Sequence, residues 1–176
     1  MFSYSELEDV MENFRDQCID LLETRGVTLE DIAECARYLQ QDYHIDLKKE
    51  ELMDSVLSVI DKREVQFAIM TAIELDMLAE QRKMNNPKLQ ELLLRDEGLY
   101  GVDEVIAYGI CNLYGSIALT NFGFIDKNKY GVIDKLNRAG KNGDHCNTFI
   151  DDIVGAIAAS AASRFAHRWT KKGESK

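Results

Sequence analysis

The sequence predicts an all-α protein, a single-domain helical bundle in which one central helix is surrounded by about five others. Three observations predict it. Apolar residues recur at spacings of three and four along most of the chain, which is the period of a helix face. Pro87 is the only proline in 176 residues, so little interrupts those periods. Toward the C-terminus, Gly155, Ala156, Ala158, Ala159, Ser160, Ala161, Ala162 and Ser163 give one helix small side chains on nearly every side. A helix packed closely all round needs that. One domain spanning residues 1–176 is long enough to bury a substantial core.

The elements follow in order. Residues 5–24 set Leu7, Val10, Met11, Phe14, Cys18, Leu21 and Leu22 on one face, and Gly26 closes this N-terminal helix segment, residues 1–26. Thr28-Leu29-Glu30-Asp31 resembles a capping box, with Asp for the usual Glu, and opens a helix to about residue 39. Residues 43–45 connect it to a third helix after Asp46, whose acidic start at Glu50 and Glu51 suits the helix dipole. Residues 63–82 form a long fourth helix, with Glu74 and Asp76 interrupting its apolar set. Asn85-Asn86-Pro87 breaks the chain and starts a short fifth helix. Gly98 and Gly101 permit a bend before a sixth, 102–119. Residues 120–129 read as irregular, 132–136 as a short helix and 138–147 as a polar loop. The last helix covers 149–169, and the tail 170–176 is expected to fray.

Composition narrows the function. The net charge is −10, with 31 acidic against 21 basic residues, which argues against nucleic acid, where affinity rests on clustered cations. Cys18, Cys35, Cys111 and Cys146 lie far apart with no C-x-x-C. They read as reduced, buried thiols of a cytoplasmic protein rather than disulfides or a zinc site. The acidic N-terminus is unlike a signal peptide. The two most apolar stretches, 105–120 and 153–166, are shorter than the ~20 residues that cross a bilayer.

The chemistry is carried by carboxylates set among Ile, Val, Phe and small residues: Asp103-Glu104, Asp126 and Asp151-Asp152. A buried carboxylate is costly unless compensated, and for a cluster the cheapest compensation is a divalent cation held by oxygen ligands. Asp103 shares a face with Ile106 and Ile110 and so points inward. The expected metal ligands are Asp103, Glu104, Asp151 and Asp152. Oxygen-only ligands favour Mg²⁺, with Mn²⁺ or Ca²⁺ as alternatives, over zinc. Asp103, Asp126 and Asp151 are the catalytic candidates. Lys127 and Lys129, with Asn121, are expected to meet a phosphate, and their segment to act as a lid. Glu74, Asp76 and Asp96 are weaker candidates. His44, His145 and His167 show no triad spacing, and no P-loop motif is present.

The order Asp103-Glu104, then Phe122-x-x-x-Asp126-x-x-Lys129, then Ile150-Asp151-Asp152-Ile153-Val154 resembles the phosphatidylglycerophosphatase A family. The run from Lys62-Arg63-Glu64-Val65-Gln66 to Thr148-Phe149-Ile150-Asp151-Asp152 is similar to its soluble helical branch, the YutG-like proteins of Gram-positive bacteria. The resemblance implies a Mg²⁺-dependent phosphatase of lipid metabolism, removing the terminal phosphate of phosphatidylglycerophosphate or a soluble analogue. Gly123 stands where the family has Arg after Phe, and Tyr130-Gly131-Val132 replaces its Pro-x-Pro. Its N-terminal Gly-Thr-x-Gly-Ser has no counterpart. The alternative reading is a non-catalytic, metal-binding helical homo-oligomer that has lost phosphatase activity. Expected partners are a small phosphoester or lipid headgroup, a second copy of the chain and, at most, the periphery of a membrane.

Overall fold

Caps and turns begin the fold, and one buried helix completes it. The structure, a computed structural model, describes residues 14–43, 48–143 and 145–173; among them are nine α-helices, one short 3₁₀ turn at Gln41–Tyr43 and no strand. Helix α1 spans Phe14–Thr24. It ends at Gly26, whose positive φ of 75° lets the Val27 N–H reach back to the Leu22 carbonyl. Helix α2, Leu29–Tyr38, opens on the expected capping box. The Thr28 hydroxyl accepts from the Asp31 N–H at 3.1 Å, and the Asp31 carboxylate accepts from the Thr28 N–H at 3.0 Å. Helices α3 and α4 span Lys49–Ile60 and Arg63–Glu80. Helix α5, Pro87–Leu94, has proline in its first turn and the Asn86 side chain accepting from the Lys88 and Leu89 N–H groups.

Four helices remain: α6 at Val102–Asn112, α7 at Gly115–Asn128, α8 at Val132–Lys141 and α9 at Ile150–Gly173. Helix α9 is central. It packs against α2, α3, α4, α6, α7 and α8, and residues 150–163 are all buried. Its small side chains allow this. A Cβ added at Gly155 would lie 3.4 Å from the Phe122 ring of α7, so the two helices meet there nearly backbone to ring.

The structure corrects the sequence reading at four places. The helix expected over 102–119 is two helices, separated at Leu113 and Tyr114, with Gly115 at φ 79°. The Ser163 hydroxyl donates to the Tyr114 carbonyl at 3.0 Å and ties this corner to α9. Residues 120–128, expected to be irregular, belong to α7. Ala118, Phe122 and Ile125 are buried, and that burial outweighs the weak helix propensities of Thr120, Asn121 and Gly123. The segment 121–129 is thus a packed helix with its cap, not a lid. Helix α8 continues to Lys141, beyond the expected 136, and α9 includes residues 170–173 of the expected tail. Residues 1–13 of the expected first helix, His44, and the end of the tail at 174–176 lie outside the described residues. All four cysteines are free and buried. Among the described residues no helix is long and apolar enough to cross a membrane.

Candidate functional site

The site is built on the first turn of α9, which is held from behind by α4. Asp76 of α4 is fully buried. Its carboxylate accepts from the Ile150 N–H at 2.9 Å and the Phe149 N–H at 3.1 Å, satisfying donors that a helix start leaves without partners. Burial pushes its pKa up to about 7, against the pull of those backbone donors. The strand of chain leading in is pinned as well. The Thr148 hydroxyl donates to the Leu93 carbonyl at 2.6 Å, and the Asn147 amide donates to the Leu136 carbonyl at 2.9 Å. Asp76 therefore positions the helix that carries the site; it does not line the cleft.

In front of that turn lies a cleft of about 210 Å³ where three helix ends meet. Asp151 and Asp152 enter from the start of α9, Asp103 and Glu104 from the start of α6, and Asp126 with Lys129 from the end of α7. The dipoles of α6 and α9 favour their acids, whereas Asp126 sits at a helix C-terminus, where an acid is disfavoured. Lys129 compensates. This residue caps α7 in the left-handed region at φ 46°, which turns its side chain back into the cleft. Its ammonium donates to Asp126 at 2.5 Å and to Asp151 at 2.9 Å, with Asp152 at 3.9 Å. Burial alone would lower the Lys129 pKa, but Asp151 and Asp126 hold it well above the usual lysine value.

One ammonium does not balance the cleft. Seven carboxylates line it, including Asp96 and Glu97, against two lysines, Lys129 and Lys141. Burial raises the pKa of Asp151 and of Asp152, and the charge of Asp151 raises Asp152 further. Burial also raises half-buried Asp103, with the neighbouring charge of Glu104 adding to it. An excess of carboxylates over ammonium groups fits a divalent cation by the chemistry of its donors. As the side chains lie, no three His, Cys, Asp or Glu among the described residues are grouped closely enough to hold one. The Lys129 ammonium sits among the acids instead.

The other expected site residues separate clearly. Asp96 lines the cleft. Glu74 is exposed, since two residues along a helix turn it about 200° from Asp76. Lys127 is exposed and outside the cleft, about 100° past Asp126 around α7. Asn121 does not line the cleft either; five residues before Asp126, it points about 140° away. Its buried Nδ2 has no hydrogen-bond partner, which nothing in the structure explains. His145 is mostly exposed and lies 3.4 Å from Glu80. Sequence reasoning missed Asn137, Lys141 and Thr148, which line the cleft. The spacing of Ile133, Asn137 and Lys141 by fours was the available signal, and ending the helix at 136 hid it.

Fold and cleft together define a helical protein that gathers acids and lysines at the junction of three helix ends around one buried helix. The family model for phosphatidylglycerophosphatase A matches residues 27–167, and the chain belongs to that family, within its YutG-like branch. It is 55% identical over 147 residues to YutG of Bacillus subtilis, which covers 84% of this chain and 87% of YutG. It is also similar to a solved protein of unknown function from Bacillus stearothermophilus, with TM-score 0.83 and 56% identity over 88% of this chain and 94% of that one. The low temperature requirement C protein from Listeria monocytogenes superposes with TM-score 0.85 at 48% identity, over 89% and 97% of the two chains.

Proposed function

We propose that the chain is a divalent-cation-dependent phosphatase acting on a phosphomonoester, either phosphatidylglycerophosphate or a soluble analogue. One observation carries the reading: Asp103, Glu104, Asp126, Asp151, Asp152 and Lys129 converge on a single cleft in a chain of the phosphatidylglycerophosphatase A family. Asp103, Glu104, Asp151 and Asp152 are the residues that would hold Mg²⁺, or Mn²⁺ or Ca²⁺ in its place. When bound, the cation supplies Lewis-acid polarisation of the phosphoryl group and of the attacking water. Lys129 and Lys141 neutralise the phosphoryl oxygens as point charges. Asp126 belongs to the cleft but not to that ligand set, and it is placed to take a proton from water or to keep Lys129 aimed inward. Free thiols throughout agree with a cytoplasmic location.

The test is turnover of a phosphoester panel, including phosphatidylglycerophosphate in detergent, by the purified chain with Mg²⁺. Activity should vanish on chelation, and Asp103→Asn and Asp151→Asn should each lower it about 100-fold or more without unfolding the protein. No turnover on any ester, with a melting temperature indifferent to Mg²⁺, would sink the proposal. A melting temperature raised by Mg²⁺ without turnover supports the non-catalytic metal-binding reading, which the presence of Gly123 at the position of the family's Arg favours.

A further inference from the structure

Lys129 reaches the cleft from an unfavourable backbone. It ends α7 with φ 46° and ψ 68°, a left-handed conformation that helix ends usually leave to glycine or asparagine. Gly131, two residues on, also has a positive φ, of 62°. A connector with two such residues in three has no local reason to keep one shape. A left-handed residue that bears a side chain persists where its surroundings over-determine it.

Here the surroundings are one face of α2. The Tyr130 ring lies flat on the Tyr38 ring, with centroids 3.9 Å apart and planes 2° from parallel. The Tyr130 hydroxyl donates to Glu34 at 3.1 Å, and Arg37 donates to the same carboxylate at 2.8 Å. The Tyr130 carbonyl accepts from the Cys35 thiol at 3.6 Å, and a Cβ at Gly131 would lie 3.4 Å from that sulfur. Tyr130 does not itself line the cleft. The residue before it does, with its ammonium on Asp126 and Asp151. Of the two side-chain contacts, the ring is the stronger hold. Glu34 is 45% exposed, so water competes for its hydrogen bond, whereas two stacked rings exclude water between them.

We propose that the stack of Tyr130 on Tyr38 aims Lys129 into the cleft. The rings fix the peptide that joins Lys129 to Tyr130. Without them the left-handed turn relaxes, and the ammonium leaves Asp126 and Asp151 for water. Tyr38 and Tyr130 are thus positioning residues that reach the cleft only through Lys129. The aim of Lys129 does not depend on the phosphatase reading; on that reading, the stack also fixes where a phosphoryl oxygen meets its point charge.

The test is the ammonium signal of Lys129 in proton–nitrogen spectra of the full chain carrying isotope-labelled lysine, assigned by its absence in Lys129→Met. The spectra are taken in chelator without any ester, so that failure of the phosphatase reading leaves the result intact. An ammonium bonded to two carboxylates keeps its protons long enough to be seen at neutral pH, and a solvated one does not. Tyr130→Ala and Tyr38→Ala should each abolish the signal with helical content retained. Tyr130→Phe, which keeps the ring and loses the Glu34 bond, should preserve it. Alanine is the better helix former at position 38, so loss of fold would not mimic the result there. A parent without the signal, a signal that survives either alanine substitution, or its loss in Tyr130→Phe overturns the proposal.

Discussion

Two sets of buried carboxylates flank the start of α9. Behind it, Asp76 stands alone and receives the Phe149 and Ile150 N–H groups. In front, Asp151 and Asp152 share the cleft with five further acids and have Lys129 as their nearest cation. Both sets come from apolar sequence surroundings, and burial raises the pKa of each. They differ in the ratio of donors to acids. Where backbone N–H groups saturate a carboxylate, it serves as a cap and has no capacity left for a ligand. Where acids outnumber donors, the residual charge is what the proposed cation would neutralise. A buried acid is thus read by counting its partners rather than by its burial.

The sharpest way to break this comparison is Asp76→Ala. The change strands two buried N–H groups at the start of α9, and it should cost about 3 kcal/mol of stability, at the usual penalty for unsatisfied buried donors. Urea unfolding measures this; a loss below about 1 kcal/mol would mean that Asp76 is no cap. Lys129→Met tests the other side. Removing the cation leaves its carboxylate partners without it, and because Lys129 is itself about a quarter exposed and Asp151 and Asp152 can take up protons in its place, the loss should be smaller, about 1–2 kcal/mol. Mg²⁺ should recover more stability in this variant than in the parent, by mass action on the folded state alone. Equal recovery in both would detach Lys129 from the cation site.

A third test is of pH. The Asp76 pKa rises from 3.8 to about 7 on folding, so within that window the folded chain holds more protons than the unfolded one. Its stabilising contribution is therefore complete below pH 3.8 and is lost as pH rises toward 7. Asp151 and Asp152 act in the same direction. In chelator, the melting temperature should fall from pH 5 to pH 7, and Mg²⁺ should flatten that slope because a cation favours the ionised acids. A slope of the opposite sign would show that backbone donors dominate at Asp76.

Much of the fold was legible residue by residue. The capping box at Thr28 and Asp31, Pro87 at a helix start, and the small-residue stretch that marks α9 as the central helix all act over one or two turns. The break between α6 and α7 was not legible. Residues 105–125 run through both helices without a charge, so no change of phase announces the corner, and Gly115 looks no different from Gly109 or Gly123. In the candidate site, the acidic pairs at 103–104 and 151–152 could be read from their apolar flanks. Asp76 and Glu74 could not be told apart, because both interrupt the same apolar helix.

The sequence by itself determined that the chain is helical, which helix must be surrounded and which acids lie among apolar neighbours. Those properties follow from spacing and composition along one helix. Only the tertiary structure decided that Asp76 caps α9, that Lys129 turns back from the end of α7 to meet Asp126 and Asp151, and that Asn137 and Lys141 join the cleft. Hydrogen bonds and charge balance depend on distances between helices far apart in the chain, and those distances are set by how the helices pack on α9.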